Sequence, residues 1–547
     1  MTPMISRRPQ IGSVTLCLLA AAWLFFVPNA AFWRGAAAAF GGVTPGFLAF
    51  SLGLLALTAA FIVAFSVKYL IKPFLVALIL IAAVASYYAD TFGTVIDKDM
   101  IRNAAVTTPA EARHLITWAF ALHVALYGVL PSLLVAFLRI RHRNFLGKFL
   151  HNLAVATACL ALAAGLVVWQ FAAISTTVRA HHDMLARLNP FGPIAGAIGY
   201  GLDSYEEMTA VYRPIGEDAR IGPRLGGGKP VVTVIVAGET ARAMNFSLNG
   251  YERDTNPELS ALDIVNFSNT ASCGTATAVS LPCMFSIYPR RDYSDMKGKF
   301  TDSLLDVMHH AGVDAFWWDN NTGSKGIADR VSFEAMTGQK DPRYCREGEC
   351  DDGIFLDKLD RKLSGITRNT TIVLHQIGSH GPSYFLRYPP EFAAFKPECR
   401  TPQLSDCKRE DIVNAYDNTI RYTDHILASV IGILKKNADR IDSSMVYMSD
   451  HGESLGENGL FLHGAPYAFA PEQQTHVPFI AWFSEGYRQR SRLSLSCLRG
   501  KSAEPMSHDN LFHTALGLMD IETTAYDAKL DAFASCRDQG GEGFPQS

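Results

Sequence analysis

At 547 residues the chain is long enough for two or three domains, each with its own core. Hydrophobic residues make up 49% and mean hydropathy is +0.11, too high for a chain soluble along its whole length. A net charge of −3 and a pI of about 6.6 argue against nucleic acid as a partner, since no domain carries a basic face.

The apolar excess lies in the first third. Five runs, over 11–33, 44–66, 70–89, 116–138 and 152–176, each approach the ~20 residues that a spanning helix needs. Arg7 and Arg8 precede the first run, and Lys68 and Lys72 lie between the second and third. Arg139, Arg141, Arg143 and Lys148 lie between the fourth and fifth. The bias of cations towards the cytoplasm puts these three segments inside, and an odd number of spans then puts everything after residue 176 outside. Residues 1–31 also have the outline of a signal peptide, with PNAAF as its cleavage region; the four later runs favour a retained anchor.

Residues 90–115 read as a polar outer loop. Residues 178–210 are amphipathic and interrupted by Asn189-Pro190 and Gly192-Pro193, which suits a bridge along the membrane surface or an ordinary linker. The stretch IGPRLGGGKP (221–230) reads as a boundary. The expected division is a transmembrane domain over 1–177, a bridging helix and linker over 178–225, and a soluble domain over 226–547.

Of ten cysteines, Cys17 and Cys159 lie in apolar runs and read as inert thiols. The other eight come after residue 270 in close couples: Cys273 with Cys283, Cys345 with Cys350, Cys399 with Cys407, and Cys497 with Cys536. An even count at such spacings implies disulfides and an oxidising compartment, and neighbour pairing is the simplest connectivity. A zinc cluster of cysteines is disfavoured because no CxxC occurs. The compartment agrees with the topology read from charge.

From residue 231 short β-branched runs alternate with helix-length segments. VVTVIVAG (231–238), AFWWDN (315–320), TIVLHQ (371–376) and SMVYMSD (444–450) predict buried parallel strands, and 301–312 and 409–437 predict helices. The alternation implies an α/β domain with a mostly parallel sheet, whose ligands bind beyond the carboxyl ends of the strands.

Charged residues stand at those ends. Glu239 comes after the first run, Asp450 closes the last and His451 comes next. Two carboxylates and an imidazole suit zinc, with a fourth position left for an oxygen. A helix cap at Glu239 and a turn at Asp450-His451 are the ordinary alternatives, but their coincidence at several strand ends favours a metal. His380, His463 and His476 lie in Gly/Pro-punctuated loops and are further candidates, whereas His375, at a strand end, reads as structural. Asn321 and Lys325 come after another strand and could grip phosphate oxygens.

The stretch SCGTATAVSLPCM (272–284) sets Thr275, Thr277 and Ser280 between Cys273 and Cys283. A closed loop would hold a hydroxyl rigidly, and a base or metal would make it a nucleophile. Thr277 is the candidate nucleophile; a Thr-rich disulfide loop with no chemistry is the ordinary alternative, and the stretch alone does not decide against it.

Five segments then carry a resemblance: GETARAMNFSLNGYERDTNPEL (238–259), NFSNTASCGTATAVSLPCMFS (266–286), DNNTGSKG (319–326), HQIGSHGPSY (375–384) and SDHGESLGENGLFLHG (449–464). Together with the membrane third, they resemble the lipid A phosphoethanolamine transferases, which include the mobile colistin-resistance enzymes. The resemblance implies a sulfatase-like α/β domain in the periplasm, attached to five transmembrane helices in the bacterial inner membrane. It implies that Glu239, Thr277, Asp450 and His451 bind zinc and that Thr277 is the nucleophile. It implies that Asn321, Lys325, His380 and His463 contact phosphoethanolamine or a second metal. The implied reaction moves phosphoethanolamine from phosphatidylethanolamine to Thr277 and on to a lipid A phosphate, with resistance to polymyxin as the outcome. A monomer is expected.

A sulfatase is disfavoured, because its formylglycine needs Cys or Ser followed by x-Pro-x-Arg. Here Ser280-Leu281-Pro282-Cys283 is followed by Met284. A transferase acting on another envelope glycan stays open. A non-catalytic sensor or assembly factor predicts loss of a metal-site residue, and all four are present.

Overall fold

The computed structural model describes residues 8–107, 109–181, 184–346 and 349–537; Arg7 lies outside them. The chain forms two units, one of Met1–Ile101 with Ile116–Tyr200 and one of Arg102–Leu115 with Gly201–Ser547.

In the first unit, Pro45–Ala64, Ile71–Phe92, Trp118–Phe137 and Phe145–Trp169 are each long and apolar enough to cross a membrane. The first run departs from a single straight helix. Ser13–Phe26 and Ala30–Ala39 meet at 68°, and among the described residues the count of candidate spans reaches five if this bent pair is one. Pro28 explains the break, since its ring and missing N–H stop a helix at the residues before it. Carbonyls freed there are satisfied by side chains. Asn29 Nδ2 donates to Leu24 O (2.8 Å) and Asn189 O (2.9 Å), while Asn189 Nδ2 donates to Pro28 O (3.0 Å). The helix expected from 152 begins instead at Phe145, because Asn144 caps it by accepting from Gly147 N (3.1 Å). The stretch 90–115 is not simply loop. It holds helices Lys98–Val106 and Pro109–Leu115, the first started by Asp97, whose Oδ1 accepts from Met100 N (2.9 Å).

The second unit is built on an eight-stranded sheet. Its strands in chain order are β1 (Val231–Gly238), β2 (Val265–Ala271), β3 (Asp314–Asp319), β4 (Ser332–Ala335), β5 (Thr370–His375), β6 (Asp442–Ser449), β7 (His476–Phe483) and β8 (Met506–Ser507). They lie in the order β8-β2-β7-β6-β1-β5-β3-β4, and only β7 runs antiparallel to its neighbours. All eight residues of β1 are buried, as a central parallel strand covered on both faces requires. Val231 and Ile235 pack in one core with Leu281, Leu305 and Phe512. Helices Thr277–Met284, Leu304–His310 and Asp509–Leu518 therefore cover that face.

The registers decide where chemistry gathers. Gly238 is level with Ser449, Ala237 with His375, and His375 with Asp319. The residues just past β1, β3, β5 and β6 therefore emerge together at one edge of the sheet.

The four cysteine couples are disulfides: Cys273–Cys283, Cys345–Cys350, Cys399–Cys407 and Cys497–Cys536. Cys17 and Cys159 are free.

Candidate metal centre and nucleophile

Because Gly238 and Ser449 are in register, Glu239 emerges beside Asp450 and His451. Thr240, held at a φ of +59°, donates its N–H to Asp450 Oδ1 (3.1 Å) and its hydroxyl to Glu239 Oε1. His451 N donates to the same Oδ1 (2.7 Å). Among the described residues Asp450 Oδ2 is left buried with no hydrogen-bond partner. The His451 ring donates from Nδ1 to Gly452 O (2.9 Å). Its Nε2 lone pair is thereby aimed at Glu239 Oε1 and Asp450 Oδ2, each 3.4 Å away.

Thr277 is the first residue of its helix and is buried. Its hydroxyl donates to Glu239 Oε2 (3.0 Å) and lies 3.3 Å from His451 Nε2. The loop before it is pinned at several points. The disulfide closes it, Thr275 Oγ1 donates to Ala465 O (2.6 Å), and Ser280 Oγ donates to Asp450 O (2.5 Å). His508 accepts from Cys273 N at Nδ1 (3.0 Å) and donates from Nε2 to Ser449 O (2.9 Å). One imidazole thus ties the nucleophile loop to the strand that carries Asp450.

Ligand atoms of Glu239, Asp450 and His451 all lie within 4.8 Å of one another. Burial pushes the Asp450 carboxyl up to about 7, and the charge of Glu239 adds to it. Glu239 meets the same burial, but the imidazoles of His451, His380 and His463 and the Thr240 hydroxyl hold it down at about 2. Burial opposes a cation on His451, yet the two carboxylates outweigh it and raise its pKa. Buried anions that cluster in this way need a cation between them. With a partnerless carboxylate oxygen and an imidazole lone pair on the same spot, the residues fit a divalent metal.

Of the other candidates, Asn321, His380 and His463 gather about this centre. Asn321 is held by the β3 turn, where Asp319 Oδ1 accepts from Asn321 N (3.0 Å) and Gly323 N (2.9 Å). Its Nδ2 donates to Glu239 Oε2 and to Gln376 O, both at 2.8 Å, so both amide hydrogens are spent. Asn321 in this structure orients Glu239 rather than offering a free donor. Lys325 Nζ donates to Thr322 O (2.8 Å) and Thr322 Oγ1 (2.6 Å). Rings of His451 and His463 are 4.4 Å apart, and those of His463 and His380 are 5.5 Å apart, a file of imidazoles leading away from Thr277. His476 lies elsewhere, with Nε2 on Ser268 O (2.7 Å). His375 is structural. It bonds Asp319 at 2.7 Å, and Trp317 Nε1 donates to the same carboxylate at 2.8 Å.

Glu453, Tyr384, Thr240, Gln376 and His508 were not singled out from the sequence. Glu453 is fully buried, accepts from Tyr384 OH (2.5 Å) and meets His463 Nδ1 at 2.8 Å. Burial drives Glu453 up to about 8 and His463 down to about 3, which favours a neutral pair. Its place two residues after His451 was a usable signal, whereas nothing local marks His508.

Comparison with known proteins decides the family. The sulfatase family model matches residues 232–521, and that of the phosphoethanolamine transferases EptA/EptB matches 54–205. Phosphoethanolamine transferase EptA of Escherichia coli K12 is 38% identical over 97% of this chain and 98% of its own. The chain belongs to the phosphoethanolamine transferases. Phosphatidylethanolamine transferase Mcr-1 of Escherichia coli is likewise 38% identical, over 83% of this chain and 85% of its own. The solved integral membrane protein lipooligosaccharide phosphoethanolamine transferase A (EptA) from Neisseria meningitidis superposes with a TM-score of 0.92 at 36% identity, covering 97% of this chain and 100% of that one. The transferase is an integral inner-membrane protein with its sulfatase-like unit in the periplasm, and the cation placement and the disulfides agree with this.

Proposed function

We propose that the protein transfers phosphoethanolamine from phosphatidylethanolamine to a phosphate of lipid A, through a covalent intermediate on Thr277. The observation that carries this reading is the convergence of Thr277 Oγ1 on Glu239 and His451, beside the partnerless Oδ2 of Asp450. Glu239, Asp450 and His451, with Thr277, would hold zinc. Zinc bound there would withdraw charge from phosphoryl oxygens and depress the pKa of the Thr277 hydroxyl.

The chain's own groups account for the rest. Glu239 Oε2 accepts the Thr277 hydroxyl hydrogen and fixes its direction. Asn321 holds Glu239 in place. Thr277 Oγ1 gives up its proton and attacks the donor phosphorus, the bond to the diacylglycerol oxygen breaks, and that oxygen leaves as an alcohol after taking up the Thr277 proton, relayed through the imidazoles of His380 or His463. In the second step an oxygen of a lipid A phosphate attacks the same phosphorus. The bond to Thr277 breaks, and Thr277 takes up the proton that the attacking phosphate hydroxyl gives up. Thr277 stands at the N-terminal end of its helix, the positive end of the helix dipole, which favours an anion there. Lys325 adds positive charge on the phosphate side.

In this scheme residues 1–177 hold the enzyme in the bilayer, 178–225 bridge, and 226–547 carry the chemistry, because donor and acceptor are both lipids. An added ethanolamine cation would weaken the attraction of lipid A for cationic peptides such as polymyxin. The test is mass spectrometry of lipid A from a polymyxin-sensitive host that expresses the parent or Thr277→Ala. Phosphoethanolamine with the parent alone supports the reading; unmodified lipid A with both, at equal protein levels in the membrane, removes lipid A as acceptor.

A further inference from the structure

The membrane unit contains a cavity of about 730 Å³ that the transfer reaction does not use. Three chain segments build it: the residues before the first helix, the turn between the second and third apolar runs, and the strand after Trp118–Phe137. All three lie at the cytoplasmic ends of the helices. Gln10–Gly12 pairs in parallel with Arg139–Arg141, and strand alternation sets Arg139 and Arg141 on one side of that ribbon. Arg8, Lys68, Lys72, Arg139, Arg141 and His142 all line the cavity, and among the described residues no acidic one does.

The shortage of anions extends well beyond the lining. Residues 1–89 and 116–182 contain no Asp or Glu at all. On the helix Ile71–Phe92 the first carboxylate after Lys72 is Asp90, about 27 Å along the axis and at the opposite end. The lining cations rest on neutral groups. Lys72 Nζ donates to Ala136 O (2.8 Å), Lys68 lies over the Tyr69 ring (4.9 Å), and Arg8 lies over the Phe137 ring (5.5 Å). These contacts place the cations without neutralising them.

Cations that only set topology could be scattered through solvated loops, each on its own. Here cations from three segments surround one volume large enough for a lipid head group. Tyr69 of the lining is 84% exposed, and its chain neighbours Phe65, Val67 and Leu70 are exposed as well. Exposed apolar side chains in this segment suit acyl chains, and a basic pocket between helices on the cytoplasmic side suits an anionic head group.

We propose that this cavity binds the phosphate of an acidic phospholipid from the cytoplasmic leaflet. The lipid would be a resident of the membrane unit and not a donor or acceptor in the transfer.

The test is native mass spectrometry of the full-length protein in detergent with phosphatidylglycerol, phosphatidylcholine or inorganic phosphate added. The proposal expects retained phosphatidylglycerol and little phosphatidylcholine, whose choline cancels the phosphate charge. Each cation removed should weaken binding about fivefold, so Arg139→Gln/Arg141→Gln should weaken it about 25-fold. Lys68→Gln, at an exposed turn position, gives the single-site value if the double variant fails to fold. Equal retention of both lipids, or phosphatidylglycerol binding unchanged in Lys68→Gln, overturns the proposal. If inorganic phosphate displaces phosphatidylglycerol at comparable concentration, the site belongs to a soluble anion and the lipid assignment falls.

Discussion

Replacing Asn321 by Ala separates two roles that its position allows. If Asn321 gripped substrate phosphate, its loss would weaken substrate binding and leave the metal untouched. In the structure its two amide hydrogens go to Glu239 Oε2 and Gln376 O, each at 2.8 Å. The bond to Glu239 restrains a carboxylate that also accepts from Thr277 (3.0 Å) and Thr240. A hydrogen bond to a charged group contributes about 1.5–3 kcal/mol, which is about a 10- to 150-fold change in an equilibrium constant. Loss of a residue that orients a metal ligand commonly costs about 10- to 100-fold in metal affinity. Asn321→Ala is therefore expected to weaken zinc binding by at least about tenfold. The assay is chelator competition on the purified full-length protein, with lipid A modification measured alongside. Zinc affinity within about twofold of the parent, together with lost transfer, would refute the positioning role and return Asn321 to the substrate.

Two further outcomes rest on the same geometry. Gly378 has a φ of +49°, and a Cβ there would lie 2.6 Å from the backbone oxygen of Glu239. Gly378→Ala should therefore displace that ligand, at about 1–3 kcal/mol of strain, and lower transfer about tenfold or more in a folded protein. Unchanged activity would count against this placement of Glu239. Burial holds the His508 imidazole down at about 4, against about 6.5 in an unfolded chain. Between those values the unfolded chain binds the proton and the folded one does not. Stability is thus lost as pH falls from about 6.5 towards 4, by up to about 3 kcal/mol. His508→Asn should flatten the fall of Tm over that range, and an unchanged slope would show that other groups cause it.

Much of the centre was legible because parallel strands announce themselves as β-branched runs and deliver the next residues of the chain to one edge. Glu239, Asp450 and His451 each sit one or two residues past such a run, and the registers bring them together. Strands β2 and β7 were harder to read. β2 alternates with exposed Asn269 and Ala271, and β7 starts at a histidine that packs on a backbone carbonyl. His508 carries no local signal because its role exists only in three dimensions, between Cys273 and Ser449. The apolar runs marked the helices well but not their breaks. Pro28 was visible as a breaker, yet the Asn29–Asn189 pairing that satisfies the freed backbone spans 160 residues. Asn321 was legible as a site residue but not in its role, since composition does not say which acceptor takes an amide hydrogen.

The most direct test of the central claim is peptide mass spectrometry of the purified protein incubated with phosphatidylethanolamine and no acceptor. Phosphoethanolamine on Thr277 in the parent, absent from Thr277→Ala, is the expected result. The group on any other residue, or transfer undiminished in Thr277→Ala, would contradict the account.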